Sequence, residues 1–165
     1  MLSKTSTFSS ERLSYRGIEE GDAGLIVSWR SDPGNARNFF GEPPTLESHL
    51  EWFGRYLEDP TRYDFMVLGP DGRRIGTVTL SRISGGSCEV GYMIGDGSAR
   101  RCGYATEAVR AVTRLAFEEL GVERVEARIR PGNVASERVA GRAGFLEEER
   151  VWRARSGRAG GPSDG

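Results

Sequence analysis

The chain has 165 residues, 37% of them hydrophobic and 28% charged, which suits one soluble globular domain and excludes a disordered chain. Its formal charge of −1 at pH 7 excludes the broad basic face that nucleic-acid binding needs. No apolar run approaches the roughly 20 residues needed to span a membrane.

The N-terminal stretch MLSKTSTFSS lacks the apolar centre of a signal peptide. Cys88 and Cys102 are too few for a disulfide framework and have no metal-ligand spacing, so a reducing, cytoplasmic location and no metal are expected. Residues 1–10 and 156–165 are poor in apolar side chains and read as disordered tails around one domain over 11–155.

In chain order, LSYRGI predicts a first strand and DAGLIVSWRS a helix capped by Asp22. A loop with two aromatics runs from Pro33 to Pro44, and TLESHLEWFGRYLED, opened by Thr45, predicts a second helix. YDFMVLG and RIGTVTLSRI are strand-like and flank the turn Pro70-Asp71-Gly72, and Gly85-Gly86 leads to the strand CEVGYMI. From Tyr104 to Leu120 the apolar residues Ala105, Ala108, Val109, Val112, Ala116 and Leu120 recur at helical spacing, and Gly121 supplies the stop. VEARI alternates as a strand, a helix covers Ala135 to Ala143, and FLEEERVWRAR reads as a final strand. The order predicts a mixed α/β sheet.

The loop from Gly95 to Gly103 joins a strand to the long helix. A helix N-terminus presents unpaired amides and the positive end of a dipole, so it binds anions. Gly103 and Ala105 keep side chains clear of the backbone, and Arg100 and Arg101 add charge. A glycine-relieved turn with solvated arginines fits the short stretch equally well. No Gly-Lys-Ser/Thr follows, and the third glycine of a dinucleotide fingerprint is missing.

Arg100-x-x-Gly103-x-Ala105 resembles the Arg/Gln-x-x-Gly-x-Gly/Ala signature of the GCN5-related N-acetyltransferase (GNAT) superfamily. EVGYMIGDGSARRCGYATEAV resembles that superfamily's strand, pyrophosphate loop and helix. RIRPGNVASERVAGRAGF resembles the later strand and helix of the branch that includes ribosomal-protein N-terminal acetyltransferases. The likeness covers roughly residues 11–153. It implies the GNAT fold: a mixed, mostly antiparallel sheet with a splayed central strand pair and about four helices. It also implies acetyl-CoA as co-substrate, with its pyrophosphate at the loop.

By that resemblance, Tyr92, Met93 and Ile94 lend backbone to the pantetheine arm, and Arg100, Arg101, Cys102, Gly103, Tyr104, Ala105 and Thr106 form the phosphate loop. Asn133 contacts the cofactor or caps its helix, and Arg142 reaches the phosphates or stays a surface arginine. Acetyl transfer needs a neutral amine, and a lysine-like amine with pKa about 10.4 costs about 4–5 kcal/mol to neutralise at pH 7. Glu89 is the candidate base, or else an ordinary strand carboxylate.

The superfamily's leaving-group tyrosine position is occupied by Ala140, a departure; Ser136 offers a hydroxyl instead, or merely helps to cap its helix. His49 reads as a helix-surface residue.

SWRSDPGNARNFF resembles an element of a GNAT subgroup that includes amino-sugar acetyltransferases, which implies substrate contacts from Trp29, Arg30 and Phe40. The expected function is N-acetylation of a small-molecule amine, with no nucleic-acid or membrane partner. Acetylation of protein N-termini and a non-catalytic acyl-CoA-binding module are the alternatives. Family members continue past the stretch FLEEERVWRAR to a further strand, so a sheet one strand short is expected, completed by a homodimer or by strand exchange over residues 145–155.

Overall fold

A computed structural model describes residues 1–36, 39, 41–148 and 151–156. The described residues form an eight-stranded sheet in the order β1-β2-β3-β4-β5-β6-β8-β7. Its strands are β1 (Thr7–Ser9), β2 (Ser14–Gly17), β3 (Tyr63–Leu68), β4 (Arg74–Ser84), β5 (Ser87–Ile94), β6 (Arg124–Ala127), β7 (Leu146–Glu148) and β8 (Val151–Arg155). All pairings are antiparallel except β5 with β6. The helices are α1 (Ala23–Ser31), α2 (Pro33–Ala36), α3 (Leu46–Tyr56), α4 (Tyr104–Leu115) and α5 (Val134–Arg142).

Side chains alternate between the sheet's two faces, and each face has its own apolar cluster. Cys88, Val90, Val78 and Leu80 join Ala108, Val109, Val112 and Ala116 of the α4 side, together with Ala140 of α5. On the other face Met66 and Met93 meet Ile26, Trp29 and Tyr56 from α1 and α3. The helical spacing read along 104–120 thus buries the stripe it predicts, although the last turn, 116–120, widens to a π-type turn before Gly121 at φ 66°.

Local signals placed the helix ends. The Thr45 hydroxyl accepts from the Ser48 amide at 3.0 Å while the Ser48 hydroxyl accepts from the Thr45 amide at 2.9 Å, a reciprocal cap for α3. Asp22 precedes α1 as expected, but its buried carboxylate turns back to accept from Arg16 at 2.8 and 3.0 Å and from Arg74 at 3.0 Å. It also accepts from the Glu19 amide at 2.8 Å, so it ties β2 and β4 to the turn before α1 and gives α1 itself no side-chain cap.

Two expectations are corrected. FLEEERVWRAR is not one strand but two, β7 and β8, and β8 lies between β6 and β7 with Ala127 opposite Trp152. The place expected to be empty is filled by the chain itself, so the motive for strand exchange is removed. Eleven residues with apolar positions spread along their length suit a short hairpin as well as a single strand, and only the open edge of β6 selects the hairpin.

Residues 1–10 also carry structure. Leu2 is buried in the core, β1 pairs with β2, and Phe8 stacks on Tyr15 at 4.3 Å. The Lys4 ammonium lies over the rings of Tyr56 and Tyr63 and donates to the carbonyls of Asp59 and Arg62. A few well-placed contacts outweigh the polar composition. Of the C-terminal stretch, 157–165 lies outside the described residues.

Candidate functional site: a wedge beside an amide-lined loop

Strands β5 and β6 pair at three positions only, Ser87 with Arg124, Cys88 with Val125 and Glu89 with Glu126. Beyond Glu89 they diverge, and Val90–Ile94 face residues 127–130 across a gap. Both edges of this wedge line one large cleft of about 1570 Å³, as do the 100–106 loop, α5 and the segment 30–49. The unzipped strands leave main-chain groups open to an extended ligand, since every amide and carbonyl requires a partner.

At the wedge's end, the chain rises through Gly95 into the loop. An added Cβ on Gly95 would sit 2.1 Å from Cδ2 of Trp29, so the indole occupies the space a side chain would need. Arg101 and Gly103 both adopt left-handed φ, 64° and 80°. Left-handed residues turn successive amides toward one side and form an anion-binding concavity. Among the described residues no acceptor is bonded to the amides of 101–106; the first bond of the helix here runs from the Glu107 amide to the Gly103 carbonyl at 3.1 Å. These free donors stand at the positive end of α4.

The loop is held from behind. Glu107 accepts from the Arg12 amide and Nε, both at 2.7 Å, and from the Ser10 hydroxyl at 2.5 Å. Arg12 in turn donates to the Cys102 carbonyl at 2.7 Å and lies over the Tyr104 ring. Burial raises the Glu107 carboxyl's pKa, but the bonds from Ser10 and Arg12 outweigh it and hold the group below its ordinary value.

Residues 12–146 match the family described as an acetyltransferase (GNAT) domain. The chain belongs to the GNAT acetyltransferase family. It is 41% identical over 96 residues to the probable N-acetyltransferase YjcK of Bacillus subtilis, covering 56% of this chain and 52% of that protein. It is 28% identical over 150 residues to the uncharacterized N-acetyltransferase p20 of Bacillus licheniformis, covering 86% and 83%. The chain thus spans about half the length of the first relative. Among solved structures, the Vibrio cholerae spermidine N-acetyltransferase in complex with CoA and spermine superposes with TM-score 0.80 at 20% identity, over 87% of this chain and 94% of that one. Mycobacterium smegmatis RimJ in complex with CoA-disulfide does so at 0.78 and 19%, over 92% and 88%. These structural likenesses carry the fold.

Within this GNAT domain the expected residues divide. Tyr92, Met93 and Ile94 stand on the wedge, and Gly103, Tyr104, Ala105 and Thr106 on the loop, all lining the cleft. Arg100 and Arg101 also line the cleft, and the Arg100 guanidinium is bonded within the protein. It donates to Asn35 Oδ1 at 2.6 Å and to the Ile94 carbonyl at 3.3 Å, so it links the loop to α2. The Cys102 side chain is exposed, with Sγ 3.5 Å from the Arg100 carbonyl. Asn133 caps α5, its Oδ1 accepting from the Ser136 amide at 3.2 Å, and Arg142 sits exposed at that helix's end.

Glu89 faces the α1–α3 side. One carboxylate oxygen accepts from Arg128 Nε at 2.8 Å and lies 3.3 Å from Arg82 Nε. Ser136 lines the opposite wall, where Tyr92 donates to its carbonyl at 3.1 Å. Burial pushes the Tyr92 phenol up to about 12, so it remains a donor at neutral pH. Sequence reasoning used Tyr92 for its backbone alone; its alternation with Val90 and Ile94 places the side chain on the α4–α5 face.

On the acceptor side, Trp29 packs in the core under Gly95 and is not among the residues lining the cleft. Arg30 does line it. Phe40 lies outside the described residues. His49, read as a surface residue, is buried, lies tilted against Trp52 with 5.3 Å between ring centres and lines the cleft. Burial, with a contribution from Arg30, lowers its pKa against the opposing pull of Asp64, so the imidazole is neutral at pH 7.

Proposed function

We propose that this chain is an N-acetyltransferase that moves an acetyl group from acetyl-CoA to a primary amine of a small molecule in a ternary complex. The observation that carries this reading is the junction of the wedge with the unbonded amides of 101–106. That junction suits a ligand with a pyrophosphate at one end and an amide-bearing arm at the other. Acetyl-CoA has this form, and its phosphates would meet the loop while its pantetheine chain lies along residues 90–94.

The acceptor then enters from the α1–α3 side, where the Glu89 carboxylate faces it. The amine nitrogen attacks the thioester carbonyl, the C–S bond breaks, and the sulfur leaves as a thiolate. Much of the rate comes from holding the two reactants together. Glu89 is the proposed base, and to take a proton directly or through water it trades one of its arginine partners for the acceptor. The leaving sulfur faces the wall that carries Ser136 and Tyr92, and either hydroxyl would stabilise it. Cys88 takes no part, because burial pushes its thiol up to about 12.

The test is mass-spectrometric acetylation with acetyl-CoA across amino acids, amino sugars, aminoglycosides, polyamines and short N-terminal peptides, repeated with Glu89→Gln. Selective acetylation of a small amine, lost in Glu89→Gln with acetyl-CoA affinity retained, is the expected result. Acetylation confined to peptides would move the reading to protein N-termini. Tight acetyl-CoA binding with no transfer to any acceptor would favour a non-catalytic binding module.

A further inference from the structure

The acceptor half of the cleft contains a cation, Arg30, that no carboxylate among the described residues pairs with. Arg30, in the last turn of α1, lines the cleft and is half-buried. Its Nε is closed off from solvent with no hydrogen-bond partner. The guanidinium lies 4.4 Å from the centre of the Phe39 ring, and the Phe39 carbonyl is held by Arg130 at 2.9 Å. Among the described residues no carboxylate forms an ion pair with Arg30. Burial lowers its pKa, and the nearby charge of Arg62 lowers it further. A guanidinium nonetheless stays protonated in proteins, so a half-buried charge stands there with Nε closed off and, among the described residues, no carboxylate paired with it.

The surrounding acids are already taken. Asp64 accepts from Arg62 at 2.7 and 3.1 Å, and Glu89 is held by Arg128 and Arg82. Of the described acidic residues lining the cleft, that leaves Glu42, which is exposed. A purely cationic acceptor would add positive charge beside Arg30, with Glu42 at the cleft's exposed edge as the one described lining acid not already paired. An acceptor with its own acid would instead supply the missing counter-charge.

We infer that the acceptor carries, besides its amine, an anionic oxo group, a carboxylate or a phosphate, that docks on Arg30. The inference rests on the acetyltransferase reading and narrows its substrate class. The flat guanidinium, preset by stacking on Phe39, suits such a group in two-point contact. The amine would then lie toward Glu89, with the acid anchored at the far side of the pocket. Spermine, bound in the Vibrio cholerae structure, is a ligand of the opposite charge type.

The experiment titrates matched pairs into the CoA-loaded and CoA-free protein by calorimetry. The pairs are an α-amino acid with its carboxamide and an amino-sugar phosphate with the parent amino sugar, with spermidine alongside. At low salt the acid-bearing member of at least one pair should bind about tenfold tighter or more, and which pair does so separates carboxylate from phosphate. Arg30→Gln should abolish the preference and Arg30→Lys keep part of it, both with unchanged CoA affinity.

Equal binding of both members, tighter binding of spermidine, or a preference that survives in folded Arg30→Gln would overturn the inference. Should Arg30→Gln not fold, loss of the wild-type preference at 0.5 M salt against its persistence gives the same decision. A protein that binds no CoA would sink the acetyltransferase reading separately, while discrimination within the pairs still decides this one.

Discussion

Gly103 is where the loop's backbone and its proposed ligand can be tested together. Its φ of 80° is open to glycine and tolerable to asparagine, but costs other residues about 1–2 kcal/mol. Space is a smaller obstacle, because an added Cβ would meet only the Arg12 guanidinium tip at 3.2 Å. If the Arg12–Glu107 clamp holds the loop in shape, Gly103→Ala keeps acetyl-CoA affinity and loses about 1–2 kcal/mol of stability. That corresponds to a Tm drop of roughly 2–8 °C for a domain of this size. If the loop relaxes instead, the amides of 101–106 turn away and acetyl-CoA binding weakens about 5- to 30-fold. Gly103→Asn should show less than half of either effect, and Gly103→Val, β-branched, the largest. Scanning fluorimetry and calorimetry with acetyl-CoA read both quantities. Ala and Val variants with parental Tm and parental affinity would refute the reasoning.

Three further outcomes follow from the same geometry. Gly95→Ala forces a methyl into the Trp29 indole, and overpacking of about 1–3 kcal/mol should lower Tm by roughly 2–12 °C, which Gly95→Ala combined with Trp29→Leu should partly restore. The Asp22 carboxyl is raised by burial but lowered more by Arg16, the Glu19 amide and Arg74, so its folded pKa lies below the ordinary 3.8. Its contribution is complete above that value and is lost as pH falls through the folded pKa; the Tm gap between wild type and Asp22→Asn should therefore narrow below about pH 4. Tyr92→Phe should lower kcat about tenfold or more with the KM for acetyl-CoA little changed, and by more than Ser136→Ala does; parental kcat in both would mean that the thiolate leaves unaided.

Much of this protein is written locally. The stripe Ala108, Val109, Val112 and Ala116 makes α4 and buries it, Thr45 with Ser48 opens α3, and Gly103 marks a backbone position that needs positive φ. These features depend on residues three or four apart, or on one residue's own torsions, so the sequence carries them without reference to the rest of the chain. The resemblance to the GNAT pattern rested on such segments, and the family match agrees with it.

The site's chemistry is different. Arg128 reaches Glu89 from 39 residues away and Arg100 reaches Asn35 from 65, and no local pattern encodes either pairing. Arg100 sits beside the loop and lines the cleft, and only the fold shows that the buried Asn35 also holds it. The first ten residues looked idle because composition cannot show that Leu2 and Phe8 each have a slot waiting.

By itself, then, the sequence determined the longer helices, the loop and the family, because these follow from neighbours in the chain; the short α2, Pro33–Ala36, fell where a loop was expected. Only the tertiary structure decided which charges are paired, which strand closes the sheet, and that Arg30 lines the cleft with its Nε enclosed and unbonded. Those depend on distances between segments that meet only once the sheet has formed.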